Sequence, residues 1–157
     1  LVMALAPLPF VLTWIDTRAD SFPDHIPRNV TPRCVIDPVA EIAALPADAF
    51  CLIMTHSHAL DLALVAAALA RDDLAYVGLI GSATKRARFE TRLRQGGLGA
   101  SALQRLVCPV GLTGLHGKEP AVIATSIAAD LLIRRQDLQS CVEPVSVSRI
   151  GQRARQA

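Results

Sequence analysis

The stretch Ala75-Tyr76-Val77-Gly78-Leu79-Ile80-Gly81-Ser82-Ala83-Thr84-Lys85-Arg86-Ala87-Arg88 decides the fold class of this chain. Its apolar first six residues predict a buried strand, Gly81 and Ser82 turn the chain, and a polar helical pattern continues to Gln95. The same alternation of apolar runs with helical patterns extends over most of the sequence. Alternation of this kind predicts an α/β fold, with an open, mostly parallel sheet and helices on both faces.

The elements on either side of this stretch follow from the same rules. An Asp-Pro pair at Asp37 and Pro38, for example, predicts a helix start, because Asp caps free amides and proline needs no donor there. We predict the end of a helix at 1–6, a strand at 10–15, an extended connection at 17–32 and a weak strand at 34–36. Further helices are predicted at 37–45, 59–71, 83–95, 101–106 and 119–135, and further strands at 50–55 and 75–80. Residues 1–135 then form one domain, and 136–157 are predicted to be a flexible basic tail.

Composition excludes several classes of function. The chain has 157 residues, and 16 Lys and Arg against 14 Asp and Glu give a charge of +2, which does not indicate a nucleic-acid-binding protein. The apolar stretch 1–15 is shorter than the roughly 20 residues of a membrane helix and contains two prolines, so we predict no membrane association. Four cysteines without a C-x-x-C pair indicate reduced thiols in the cytoplasm.

Polar residues follow the strand at 50–55, where an open parallel sheet binds ligands. His56 and His58 can contact a small ligand or move a proton, and Asp61 can orient one of them. The alternative is structural: Ser57 or His58 caps the next helix, and the carboxylate of Asp61 interacts favourably with the positive end of that helix. Two histidines are too few for a zinc site, so no metal ligand is predicted.

The turn after the strand at 75–80 predicts an anion site. Gly78 and Gly81 let a ligand approach the backbone, Ser82 can cap the helix, and free amides at a helix start favour an anion. Lys85 and Arg86 then place positive charge where it opposes the helix dipole, a conflict that a bound oxyanion would relieve. The alternative is a solvated basic face in which Glu90 pairs with Arg86.

Two further segments contain candidate ligand contacts. Asp16 closes a buried strand, where an acidic residue in a dinucleotide-binding fold hydrogen-bonds the ribose. The glycine-rich turn that belongs about 20 residues earlier would lie upstream of Leu1, and a start without Met favours a chain that begins partway through a longer protein. The glycine-spaced loop 108–120 can wrap a ligand, with Lys118 meeting an anion and Glu119 a heterocycle, or it can be a plain connection.

Together these segments resemble the C-terminal Rossmann-like domain of the XdhC family, the xanthine dehydrogenase accessory factors. The likeness runs from about Phe10 to Leu132 and rests on the order and spacing of four motifs. These are Trp14-Ile15-Asp16-Thr17-Arg18, Thr55-His56-Ser57-His58-Ala59-Leu60-Asp61, Gly78-Leu79-Ile80-Gly81-Ser82 with Lys85-Arg86, and Cys108-Pro109-Val110-Gly111-Leu112 with Gly117-Lys118-Glu119-Pro120.

The resemblance implies a cofactor-handling protein rather than an enzyme. Members of the family bind molybdenum cofactor (molybdopterin), help it acquire its terminal sulfur, and pass it to a xanthine dehydrogenase apoenzyme, which implies a cysteine desulfurase as a second partner. Family members usually carry an N-terminal domain, and their Rossmann part begins with a strand and a glycine-rich turn that this sequence lacks. A sheet without that strand would expose unpaired edges, which favours a homo-oligomer.

Two other functions remain open at this point. Asp16 also suits an NAD(P)- or flavin-dependent oxidoreductase with the same fold, and fold alone does not decide between the two. The third alternative is a degenerate module that only interacts with partners.

Overall fold

The structure is a computed structural model and describes residues 1–115 and 117–142. Its helices and strands alternate along the chain, as the sequence predicts. The elements are α1 (Val2–Leu5), β1 (Leu12–Asp16), a 3-10 turn (Ala19–Ser21), β2 (Val30–Cys34), α2 (Pro38–Ala43), β3 (Phe50–Ile53), α3 (His58–Ala70), β4 (Tyr76–Leu79), α4 (Ala83–Gln95), α5 (Ala100–Gln104), β5 (Leu106–Val107) and α6 (Pro120–Val142).

The strands form two small parallel sheets. β1 pairs with β2, and β3, β4 and β5 form a second sheet with β4 in the middle. The sheets approach each other where β1 and β3 begin, since the rings of Phe10 and Phe50 lie 6.5 Å apart. In the described ranges no strand pairing joins β1 to β3. Two parallel sheets with helices around them are consistent with a Rossmann-like open sheet.

Two hydrophobic clusters lie on opposite faces of the three-stranded sheet, because alternate residues of a strand point to opposite sides. From β3, Cys51 and Ile53 enter the cluster with α2, α3, α4 and α5. Phe50 and Leu52 enter the other cluster, which contains α1 and α6. Helices therefore cover both faces, and the prediction of the fold class is confirmed.

Two strands, β2 and β5, differ from the prediction. The strand predicted at 34–36 is β2, Val30–Cys34, which begins inside the predicted connection. Pro32 is tolerated in β2 because β2 is an edge strand and pairs only with β1. β5 was not predicted, because two residues carry no readable periodicity.

The last helix, α6, continues to Val142 rather than ending near Arg135, so residues 136–142 are helical instead of part of a tail. The remainder of the predicted tail, 143–157, lies outside the described residues. Among the described helices, none combines the length and apolar character needed to cross a membrane.

Candidate functional site

The candidate site is built where β3 and β4 end and α3 and α4 begin. Because these strands are parallel, their carboxyl ends lie at the same edge of the sheet. The hydroxyl of Ser57 accepts a hydrogen bond from the amide of Leu60 at the start of α3. Ser82 does the same for the amide of Lys85 at the start of α4. Both predicted caps therefore exist, and two helix starts face one edge.

A buried ion pair ties these two helix starts together. Asp61 of α3 is completely buried, and its Oδ2 lies 2.6 Å from Nζ of Lys85 in α4. Its Oδ1 accepts the amide of Thr55 just after β3, at 2.9 Å. Lys85 also donates to the carbonyl of Ile80 just after β4, at 2.9 Å. One ion pair thus fixes the ends of two strands relative to two helices.

This pairing gives Asp61 and Lys85 structural roles that their sequence position did not reveal. The positive charge of Lys85 faces a carboxylate of the protein, and its ammonium also lies 5.4 Å from the ring centre of Phe89. The direct contact to a ligand predicted for both residues stays a prediction. In the structure they are positioning residues for the edge of the sheet.

Arg86 is also engaged within the protein. Its Nε donates to Glu90 at 2.7 Å, which is the i, i+4 pair that we gave as the alternative to an anion contact. Its Nη1 donates to the carbonyl of Cys108 after β5, at 3.4 Å. Burial raises the pKa of the Cys108 thiol, and the cations of Lys85 and Arg86 only partly offset this. The thiol is therefore protonated at neutral pH, and it donates to the carbonyl of Ser82 at 3.9 Å.

The two glycines of the motif make room for protein side chains. Gly78 is buried inside β4, and a Cβ there would lie 2.4 Å from the ring of Tyr76 and 2.9 Å from Leu52. A Cβ at Gly81 would lie 2.6 Å from the stem of Lys85. The structure accordingly gives no support to a ligand contact at Gly78. The absence of a side chain at Gly81 leaves room for Lys85 to lie over the turn.

The histidines remain available for contacts with a ligand. His56 and His58 are both exposed at the site edge, on either side of the cap Ser57. A side-chain turn holds this segment, because Oγ1 of Thr55 donates to the carbonyl of Ser57 and accepts its amide. His58 is the first residue of α3 and does not itself cap the helix.

Asp16 is occupied by its neighbour in sequence. It accepts the backbone amide of Arg18 at 3.0 Å and two hydrogen bonds from the guanidinium, at 3.1 and 3.2 Å. The bond from Arg18 holds the pKa of Asp16 below its usual value. These bonds stabilise the turn after β1, which is the common role of an aspartate at a strand end.

Lys118 and Glu119 lie in an exposed approach to α6. Gly111, with a φ of 96°, passes so close to Ser126 that a Cβ would lie 2.6 Å from its hydroxyl oxygen. That hydroxyl accepts the amide of Leu112 at 2.8 Å and fixes the start of the loop to α6. Across residues 1–115 and 117–142, no three His, Cys, Asp or Glu side chains gather as metal ligands would.

Comparison with known proteins places this architecture in a family. The family model described as the XdhC Rossmann domain matches residues 1–131. The chain belongs to the XdhC family. A crystal structure described as a xanthine dehydrogenase from Bacillus halodurans is similar to this XdhC-family chain, with 26% sequence identity and a TM-score of 0.71 over 92% of the chain.

The alignment covers 41% of the Bacillus halodurans chain, so the XdhC-family chain spans less than half the length of that protein. No curated protein sequence matches it at a significant level.

Sequence reasoning missed one polar cluster of this XdhC-family domain. Asp130 of α6 is buried, accepts Nε of Arg134 at 3.0 Å, and lies 3.5 Å from the hydroxyl of Tyr76 in β4. The signal was the i, i+4 spacing of Asp130 and Arg134 within an otherwise apolar helix.

Proposed function

We propose that this domain binds molybdenum cofactor at the start of α4 and serves the maturation of xanthine dehydrogenase. Membership of the XdhC family is the observation that carries the proposal. The similarity to a protein described as a xanthine dehydrogenase supports the same biological setting. The cofactor supplies a molybdenum centre bound to a pterin with a phosphate at its end.

The start of α4 suits that phosphate. The first amides of a helix have no carbonyl partner within the helix and carry partial positive charge. At α4 these are the amides of Ala83 and Thr84, and both residues are exposed together with the cap Ser82. Backbone amides at such a helix start are a common phosphate-binding arrangement. The residues present therefore fit the anionic end of the cofactor.

Because carboxylates of the protein face the two cations at the start of α4, the proposed phosphate site uses backbone amides rather than these side chains. Asp61 compensates the charge of Lys85, and Glu90 compensates that of Arg86. Each cation holds its helix in place, so we assign the phosphate contact to the backbone amides first. The exposed imidazoles of His56 and His58 lie at the same edge and can donate hydrogen bonds to the polar edge of a pterin.

The finer function that we propose follows the family. The domain holds the cofactor while its terminal sulfur is added, and it then releases the cofactor to the xanthine dehydrogenase apoenzyme. A cysteine desulfurase is the proposed source of sulfur. The domain would then act as an assembly chaperone, without a catalytic residue of its own.

The test removes one amide from the binding surface without removing a side chain. Ala83 is the first residue of α4, and Ser82 before it has extended backbone, with φ −101° and ψ 168°. Proline is well accommodated at such a position, so Ala83→Pro deletes one donor and leaves the helix intact. The matched control is Ala100→Pro at the start of α5, which follows an extended Gly99 beyond the far end of α4.

The measurement is co-elution of molybdenum cofactor with the purified chain on a sizing column. We expect the wild type and Ala100→Pro to retain the cofactor and Ala83→Pro to retain several-fold less. Equal retention of the cofactor by both proline variants would contradict a binding site at the start of α4. No retention by the wild type, together with quenching of Trp14 fluorescence by NAD(P), would favour an oxidoreductase instead.

A further inference from the structure

The net positive charge of this chain is concentrated on α4. The helix contains one acid, Glu90, and five cations, Lys85, Arg86, Arg88, Arg92 and Arg94. The rest of the chain contains 11 Lys and Arg against 13 Asp and Glu, so the charge of +2 comes entirely from this helix. Such a concentration on one element indicates a local electrostatic role rather than a generally basic protein.

Three of these cations are exposed and make no ion pair within residues 1–115 and 117–142, namely Arg88, Arg92 and Arg94. Arg92 and Arg94 lie in the last turn of α4, where the helix dipole favours cations. Arg88 lies in the second turn and one turn away from Arg92, where like charges weaken a helix. The dipole accounts for the last two, but no contact of the fold accounts for Arg88.

Arg88 and Arg92 line one open concavity on the surface of α4, together with Thr91 and Gln95. None of these four residues is acidic. The hydroxyl of Thr91 is satisfied within the helix, since it donates to the carbonyl of Ala87 at 3.0 Å. The concavity therefore presents two accessible guanidinium groups, one turn apart, with small or neutral residues beside them.

We propose that this face of α4 binds an acidic helix of a partner protein, in which two carboxylates lie one turn apart. Residues i and i+4 of any helix are separated by a rise of about 6 Å, so each carboxylate meets its own arginine in a single register. Guanidinium groups bind carboxylates in a planar, bidentate arrangement, and arginine is enriched at protein interfaces. The inference goes beyond the cofactor site and does not depend on it.

Other occupants fit this face less well. A helix that binds a membrane surface presents large apolar side chains, whereas the exposed neighbours of these arginines are Ala87, Thr91 and Gln95. A charge of +2 over the whole chain does not indicate a nucleic-acid-binding protein. A second copy lacks the matching element, because no helix in the described part of the chain contains two carboxylates one turn apart.

The probe is an alanine-rich peptide of about 20 residues, long enough to form a helix in isolation, with glutamate pairs spaced i, i+4 on one face. Its binding to the full chain is measured by fluorescence anisotropy. A second peptide has the same composition but distributes its glutamates around the helix. Single-stranded RNA and vesicles of anionic phospholipid are tested separately.

Arg92→Gln and Arg94→Gln are matched variants. Each removes one exposed charge from the last turn of α4, and glutamine has a similar helix propensity to arginine. Only Arg92 lines the concavity. We expect Arg92→Gln and Arg88→Gln each to weaken binding of the first peptide about fivefold, and Arg94→Gln to weaken it less than about twofold. Circular dichroism verifies that each variant keeps its helices.

Saturable binding of the first peptide, with this order of variants, would support the proposal. Equal weakening by Arg92→Gln and Arg94→Gln would overturn it, and so would equal binding of the two peptides or no saturable binding by the wild type. Tighter binding of RNA or of vesicles would assign this face to another class of partner. The variants leave the amides at the start of α4 unchanged, so they should retain molybdenum cofactor like the wild type. Peptide binding without cofactor retention would contradict the proposed function alone.

Discussion

The three-stranded sheet and the β1–β2 pair differ both in sequence and in packing, since β1 and β2 contain Asp16 and Arg33 whereas β3, β4 and β5 contain no charged residue. All four residues of β4 are buried, because β3 and β5 flank it and helices cover both faces. None of the five residues of β1 is buried to that degree. The mixed polar and apolar sequence of β1 and β2 thus accompanies weaker enclosure than the apolar sequence of β4.

This difference concerns function, because the candidate site lies on the better packed region. The ends of β3 and β4 rest on a hydrophobic cluster and are joined by the Asp61–Lys85 ion pair. The turn after β1 is held by Asp16 and Arg18, which are two positions apart in sequence and of which Arg18 is exposed. The candidate site is thus held by contacts between residues that are far apart in sequence.

The largest expected effect tests this contrast in packing. Leu79→Ala in β4 removes a side chain with no exposed surface, and we expect a loss of about 4 kcal/mol in the free energy of unfolding. Leu12→Ala in β1 removes a half-buried side chain and should cost about 1 kcal/mol. Urea denaturation of both variants gives the comparison. Similar losses would show that the two regions are equally well packed.

The second effect tests the ion pair that joins the helix starts. Asp61→Asn leaves the ammonium of Lys85 without its carboxylate, and we expect a loss of about 3 kcal/mol on urea denaturation. The control is Asp73→Asn, which breaks the more exposed pair with Arg71. Exposed pairs contribute little, so the control should be much milder. Equal effects would contradict a structural role for Asp61.

The third effect concerns alkaline pH. Burial raises the pKa of Cys51 in β3 to about 11 from an ordinary value of 9.0. Below pH 9 both folded and unfolded chains hold this proton, but between pH 9 and 11 only the unfolded chain loses it. The free energy of unfolding should therefore fall by about 2 to 3 kcal/mol over this range. Cys51→Ala should fall less steeply, and identical pH profiles would exclude this source.

The smallest effect is expected in the exposed turn after β1. Asp16→Asn removes the acceptor of Arg18, but water replaces much of that interaction, so we expect a loss below about 1 kcal/mol. The pKa of Asp16 is lowered by Arg18, so this contribution is present near neutral pH and disappears in acid. Thermal unfolding of the variant at pH 7 is the measurement. A loss as large as that for Asp61→Asn would remove the contrast between the regions.

Much of the fold could be predicted from local sequence. The limits of α4, Ala83–Gln95, were predicted to the residue, because Ser82 caps its start and polar glycine-rich sequence follows its end. β2 was misplaced because Pro32 argues locally against a strand, and only its position at the sheet edge makes that proline acceptable.

The site could be predicted only in outline. The order of strands and helices in the sequence predicted that the segments around His56 and Ser82 lie at one edge of the sheet. The parallel pairing of β3 and β4 confirms this. It could not show that Lys85 of α4 points at Asp61, 24 positions earlier, because such pairs depend on how two helices pack. Arg105 was missed for the same reason, since its Nη2 donates to the carbonyl of Leu69, 36 positions earlier.

Gly78 leaves room for the tyrosine ring that joins β4 to the last helix. The ring of Tyr76 lies so near this glycine that a methyl group would meet it at 2.4 Å. The same phenol contacts Asp130 and the guanidinium of Arg134 on α6. A side chain at position 78 would therefore displace the ring that contacts α6, so the missing side chain in β4 helps to hold the strand against that helix.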